Sequence, residues 1–183
     1  AKQYPSDYRA LNNMAQQAIS KGDVAAAQNY LKQAANVNKN ASEVNTNLAL
    51  MALKSGDVAK AETYLSKGTG SDTFKEVMGN LNIAKGNYTQ AASDLAGVNT
   101  NSAALAQILA KDYTSAKTTL SKIKNADATT SYLQAVLAAR TGDASALSSS
   151  LKNAIQQDAT LAARAAKDLE FAKYANVVKN LVK

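Results

Sequence analysis

Amide and hydroxyl side chains supply most of the recognition chemistry available in this sequence of 183 residues. It contains 17 asparagines and eight tyrosines, but no histidine and no cysteine. Without those two residue types, the chain alone cannot form a thiol nucleophile, a Ser-His-Asp site, a haem ligand or a structural zinc site. Neither a glycine-rich phosphate loop nor a Gly-x-Ser-x-Gly motif is present. We therefore predict a protein that is not an enzyme and that needs no metal and no cofactor.

The charge of the chain favours acidic partners. The formal net charge is +7, from 21 basic and 14 acidic residues, and such an excess steers acidic molecules toward the surface at low salt. Only Arg9, Arg140 and Arg164 could form the forked contacts that read guanine or phosphate. We therefore predict a protein or peptide partner and no nucleic acid. No apolar stretch approaches the roughly 20 residues that cross a bilayer, so we also predict no membrane insertion.

A short turn motif recurs along the chain and organises it. Glycine followed by an acid or amide occurs at Gly22-Asp23, Gly56-Asp57, Gly86-Asn87 and Gly142-Asp143, and Lys111-Asp112 is a variant. Glycine can adopt the left-handed conformation that ends one helix, and the next side chain can cap the following helix. Alanine and leucine recur at helical spacing on both sides of each turn. We therefore predict helical hairpins with turns near 22, 56, 86, 111 and 142.

Twelve helices follow from this pattern. They are expected at about 6–20, 24–37, 42–54, 58–67, 72–84, 88–96, 101–110, 113–123, 128–140, 143–156, 159–173 and 175–182. Residues 1–158 form the predicted repeat array, and residues 159–183 form a pair of C-terminal capping helices. In the first capping helix, Leu161 and Ala165 belong to an apolar stripe, while Arg164 is expected to face away from it. Asn40 with Glu43, and Thr73 with Glu76, are spaced as capping boxes.

The repeat length and its apolar positions resemble the tetratricopeptide repeat (TPR) family. The small residue of the first helix falls at Ala15, Ala49, Gly79, Ala104 and Ala135. That of the second helix falls at Ala27, Ala61, Ala91 and Ala116, and a leucine follows four residues later. The resemblance implies an all-α fold: a right-handed α-α superhelix, or solenoid, of about five helical hairpins.

The same resemblance implies a concave face lined by the first helix of each hairpin. The residues that it places on this face, as candidate contacts to a partner, are Arg9, Asn12, Asn13, Gln16, Asn47, Leu50, Asn80, Asn101 and Tyr132. Asn13 and Asn47 occupy equivalent positions in adjacent repeats, similar to the asparagine ladders of peptide-binding TPR proteins. An asparagine side chain both donates and accepts, so it can pair with the backbone of an extended ligand of any sequence. The implied function is a non-catalytic scaffold or adaptor that binds a peptide or protein segment in its groove.

Two further points stay open at the level of sequence. The alternative function is a structural spacer or self-assembly domain of a larger exported protein without a peptide ligand. The oligomeric state has no signature in the sequence. The absence of cysteine, the abundance of Ala, Asn, Ser, Thr and Lys, and the alanine at position 1 resemble mature exported bacterial proteins. We therefore expect a periplasmic or extracellular location, with the cytoplasm as the alternative.

Overall fold

A computed structural model describes residues 6–182, and all regular structure within that range is helical. The prediction of an all-α fold is therefore confirmed. The helices are α1 (Tyr8–Ser20), α2 (Val24–Val37), α3 (Ser42–Lys54), α4 (Val58–Leu65), α5 (Asp72–Ala84), α6 (Tyr88–Asp94), α7 (Asn101–Leu109), α8 (Tyr113–Lys122), α9 (Ala128–Thr141), α10 (Ala144–Gln157), α11 (Leu161–Ala165), a 3₁₀ helix (Leu169–Tyr174) and α12 (Ala175–Leu181). No helix among these residues combines the length and the apolar composition that crossing a bilayer requires.

Five tight turns join α1 to α2, α3 to α4, α5 to α6, α7 to α8 and α9 to α10, and they share one geometry. At the first, Gly22 has φ 74°, and the backbone N–H of Asp23 donates to the carbonyl oxygen of Ala18 over 2.9 Å. The Asp23 carboxylate then accepts from the backbone N–H of Ala26 over 3.0 Å. One residue pair thus ends the first helix and caps the second, so the two helices follow each other with almost no linker.

The chain divides into two compact units, the first ending at Asp94 and the second beginning at Leu95. Unit 1 contains three hairpins, in which α3 packs against α1, α2, α4 and α5. Its core has two apolar clusters, one around Leu11, Leu31 and Val44, the other around Leu65 and Leu81. Unit 2 contains the other two hairpins and the C-terminal helices.

Unit 2 has a single apolar core that extends into its C-terminal helices. Ile108, Leu147 and Leu151 lie in this core together with Phe171 and Val178, and all five are buried. The predicted cap therefore contributes side chains to the same core as the hairpins. This placement is what brings C-terminal residues close to α9.

Alanine lies at the close contacts between helices in both units. Eight alanines at the positions predicted to carry a small residue have no exposed surface: Ala15, Ala27, Ala49, Ala61, Ala91, Ala104, Ala116 and Ala135. A methyl side chain lets neighbouring backbones approach without leaving a void, and alanine is also the strongest helix former. The alanine-rich composition is thus concentrated where helices meet.

Two local predictions were wrong. The expected helix over 159–173 is divided into α11 and the 3₁₀ helix, because the Asp168 side chain accepts from the backbone N–H of Glu170 and starts a new element. The expected capping boxes at Asn40 and Thr73 are absent: Ala41 precedes α3 without a side-chain cap, and Ser71 caps α5. α3 and α5 still begin at the predicted residues 42 and 72, and only the residue at the N-cap differs from the expected one.

Lys111 provides a test of the turn geometry. It has φ 65° and is the only residue other than glycine with a positive φ between residues 6 and 182. The left-handed conformation costs a residue with a side chain about 1 kcal/mol or more. We expect Lys111→Gly to raise the free energy of unfolding by about 1 kcal/mol, measured by urea denaturation.

The converse change is Gly56→Ala, at a glycine with φ 79°. We expect it to lower the free energy of unfolding by about 1 kcal/mol. Gly70 is the matched control, because an added Cβ there meets nothing within 4 Å and its φ is not in the left-handed range. Equal losses in Gly56→Ala and Gly70→Ala would contradict this account of the turns.

Candidate functional site

Two of the asparagines predicted to contact a partner are paired with each other in unit 1. The Nδ2 of Asn47 donates to the Oδ1 of Asn12 over 2.8 Å. The two side chains are buried, with 4% of Asn12 and 2% of Asn47 exposed. The bond joins α1 to α3, so it ties the first hairpin to the second. Burial leaves these two amides little surface for a ligand, which differs from the expected ladder on an open face.

The remaining predicted residues of unit 1 differ in their exposure. Asn13 and Gln16 are exposed on α1, whereas Leu50 and Asn80 are half-buried on α3 and α5. Arg9 is exposed, with its guanidinium carbon 5.6 Å from the centre of the Tyr8 ring. Arg9, Asn13 and Gln16 are thus open to solvent, whereas Leu50 and Asn80 are only partly so.

In unit 2 the structure does bring two predicted residues together. Asn101 on α7 and Tyr132 on α9 line a cavity of about 280 Å³, which we call the unit 2 cavity. Its other lining residues are Ser102, Leu105, Thr129, Leu133, Leu161 and Arg164. The last two come from α11, so the C-terminal cap supplies one wall. This cavity is the candidate site.

Tyr132 forms the rigid floor of the unit 2 cavity. Only 3% of the residue is exposed, and its ring packs edge-to-face on Phe171, with ring centres 5.5 Å apart. Its hydroxyl donates to the Oδ2 of Asp168 over 2.7 Å. Burial, together with that carboxylate, raises the pKa of Tyr132 well above its ordinary value. The hydroxyl therefore keeps its proton and its bond to the 3₁₀ segment at any physiological pH.

Asn101 is held in place by the start of α9. Its Nδ2 donates to the Oδ1 of Asp127 over 3.1 Å, and its Oδ1 accepts from the Thr130 hydroxyl over 2.9 Å. Asp127 and Thr130 also form a reciprocal capping box. Because the backbone N–H of Thr130 donates to the carboxylate, the pKa of Asp127 lies below its ordinary value. Asn101 is thereby fixed in orientation while part of its surface stays exposed.

Arg164 is the residue at this site that sequence reasoning missed. It was expected to face away from the core, but its guanidinium carbon lies 4.8 Å from the centre of the Tyr132 ring. A guanidinium over an aromatic face is held electrostatically without using its N–H donors. Arg164 forms no ion pair within residues 6–182, and Asp168 is already bonded to Tyr132 and Glu170. Its spacing of three residues from Leu161 was the signal that the two share a helix face.

A second arginine fastens the C-terminal segment to the hairpins. Nε and Nη2 of Arg140 donate to the two carboxylate oxygens of Glu170, while Nη1 donates to the carbonyl oxygen of Ile108 over 2.8 Å. Both side chains are largely shielded, with 22% of the arginine side chain and 30% of the glutamate side chain exposed. A forked pair of this kind is strong and directional. It holds the 3₁₀ helix, and with it Asp168, against α9 and α7.

The described residues include no group of three acidic side chains arranged to hold a metal ion. The cavity offers instead one cation, apolar surface and four amide or hydroxyl side chains, those of Asn101, Ser102, Thr129 and Tyr132. These groups suit recognition of a carboxylate or a peptide bond, since both carry oxygen acceptors.

Comparison with known proteins supports the fold and the family. Residues 18–77 match the family model described as tetratricopeptide repeat. A crystal structure of a thermophilic TPR protein in Thermus thermophilus is similar with a TM-score of 0.64 and 18% sequence identity, covering 93% of this chain and 98% of that one. No match was found among curated proteins.

Residues 18–77 thus carry the sequence pattern of the tetratricopeptide repeat family, and the fold of the chain is similar to that of a TPR protein. The family resemblance drawn from the sequence is confirmed. Tetratricopeptide repeats generally act as non-catalytic scaffolds for protein interactions.

The buried asparagine pair gives a prediction about stability. Asn47→Ala should lower the free energy of unfolding by about 1 to 3 kcal/mol, because it leaves the buried Oδ1 of Asn12 without a donor. The double variant Asn12→Ala with Asn47→Ala should lose less than the sum of the two single losses, since neither partner then remains unsatisfied. Urea denaturation of all four proteins measures the coupling. Strictly additive losses would show that the pair contributes no mutual stabilisation.

Proposed function

We propose that this protein is a non-catalytic interaction scaffold that binds an acidic protein segment at the unit 2 cavity, with Arg164 as the anchor. The observation that carries the proposal is a guanidinium that lines a cavity, rests on an aromatic ring and lacks a carboxylate partner among the described residues. A planar cation with five donors is well matched to a carboxylate.

The preorganisation of the site supports this proposal. The Tyr132 ring under the guanidinium is fixed by Phe171 and Asp168, and Asn101 is fixed by Asp127 and Thr130. Groups that are already ordered lose little conformational freedom when a ligand binds. Asn101 donates one of its two amide hydrogens to Asp127 and retains the second for an acceptor on the ligand.

The net charge of +7 acts in the same direction at longer range. It raises the encounter rate with an acidic segment and makes binding sensitive to salt. The paired amides of Asn12 and Asn47 favour a structural role for that part of unit 1. The proposal therefore places recognition in unit 2, and it retains Asn101 and Tyr132 from the residues predicted by sequence.

A charge-removing substitution tests the anchor. A fluorescein-labelled, end-blocked peptide of alternating Glu and Ala serves as the probe, and anisotropy measures its binding. We expect Arg164→Gln to weaken binding about tenfold, because the charge-assisted hydrogen bonds are lost. Binding by the unaltered protein should also weaken as salt is raised, since the attraction is screened.

Arg9→Gln is the matched control. Arg9 is also an arginine over a tyrosine ring, but it lies in unit 1 and pairs loosely with Asp7. This variant removes the same charge and should bind the peptide like the unaltered protein. Equal losses in Arg9→Gln and Arg164→Gln would indicate nonspecific attraction, and a loss in Arg9→Gln alone would move the site to unit 1. Either outcome refutes the proposal, as does equal binding of a peptide of alternating Lys and Ala.

A further inference from the structure

A second concave surface lies within unit 2, between α8, α9 and α10, and we call it the lateral groove. It encloses about 430 Å³ and shares no lining residue with the unit 2 cavity. Leu120, Leu137 and Ala138 provide buried apolar surface, and Lys117 and Ser150 contribute to its walls. More of its surface is apolar than polar, so it favours an apolar group with a polar border.

The same groove occurs in unit 1, between α2, α3 and α4. The lining residues correspond when the chain is numbered from the turn aspartates. Met51 lies six residues before Asp57, as Leu137 lies six before Asp143. Each member of both pairs lines its groove. The repeat architecture therefore generates this groove twice.

The two grooves differ in the size of the side chains that line them. Seven residues after the turn aspartate stands Tyr64 in unit 1 and Ser150 in unit 2. Tyr64 is half-buried against the unit 1 core. Three residues after the aspartate, Lys60 in unit 1 is replaced by Ala146. The unit 1 groove retains about 210 Å³, so small side chains leave the lateral groove about twice as large.

The lateral groove is lined by one charge of each sign, Asp143 and Lys117, and only the carboxylate is engaged within residues 6–182. Asp143 accepts from the backbone N–H of Ala146 over 2.9 Å and so caps α10. Lys117 is exposed and forms no ion pair with any residue that the structure describes. A carboxylate on a partner would therefore find an unpaired ammonium group beside an apolar hollow.

We propose that the lateral groove binds an aromatic side chain of an acidic partner segment. The aromatic ring occupies the space that Tyr64 takes up in unit 1, and a neighbouring carboxylate on the partner pairs with Lys117. This site is separate from the unit 2 cavity, so it stands whether or not Arg164 anchors a ligand.

Placing a tyrosine at position 150, as unit 1 has at the equivalent position Tyr64, tests this proposal. The probe is the end-blocked peptide Glu-Asp-Phe-Asp-Glu. Its binding is measured from changes in the backbone amide chemical shifts of the isotope-labelled protein. We expect shift changes at Lys117, Leu137 and Ser150. Ser150→Tyr should weaken binding about tenfold or more, because the ring of the new tyrosine takes the place of the peptide's phenylalanine.

Ser149→Tyr is the matched control, since Ser149 is exposed on the same helix and does not line the groove. It should leave binding unchanged. If thermal denaturation shows that Ser150→Tyr is not folded, the smaller filling Ser150→Leu takes its place and should weaken binding in the same direction.

Three results would overturn the inference. The first is equal affinity in the Ser150 and Ser149 variants. The second is equal affinity for Glu-Asp-Ala-Asp-Glu, which lacks the ring. The third is a set of shift changes confined to Asn101, Tyr132 and Arg164, because the acidic peptide would then occupy the unit 2 cavity alone.

Discussion

Each hairpin depends on one residue held in a left-handed conformation, and in four of the five the aspartate that follows it also caps the second helix. Gly142 with Asp143 shows how the two act together: the glycine has φ 83°, and the aspartate accepts the backbone N–H of Ala146. A shift of this pair by one residue would turn the alanines of the next helix away from their contacts, because successive residues point in different directions around a helix. The turn therefore sets the register of the helices that it joins, and the register decides which side chains reach the core.

The features that follow from local chemistry were predictable from the sequence. Glycine before aspartate indicates a reversal because both residues act on their own backbone, and alanine at helical spacing indicates a close contact. The contact of Arg164 with Tyr132 was not predictable in this way, because the two residues are distant in sequence and adjacent only after folding. The division of the C-terminal helix has a local cause, the Asp168 cap, which the apolar spacing did not reveal. The expected export and the expected boundary at residue 158 stay predictions.

Equivalent positions in the repeats have separate roles. Asn13 and Asn47 occupy the same repeat position, yet Asn13 is exposed on α1 and Asn47 is buried against that helix. Tyr64 and Ser150 likewise share a position, and the side chain there decides whether a groove is filled or open. The repeats keep small residues at nearly all of the close helix contacts, with Leu147 as the exception, whereas positions that a neighbour does not cover can change. Repeat alignment alone therefore identifies equivalent positions but not the role of the side chain at each of them.

The wall that α11 gives to the unit 2 cavity has a consequence for the order of events during synthesis. α7 and α9 precede Leu161 and Arg164 in the chain, so the Tyr132 ring is synthesised before the guanidinium that covers it. The Arg140 and Glu170 contact joins the later segment to the earlier one. The lining of this cavity is thus complete only after the chain has been synthesised through the 3₁₀ helix.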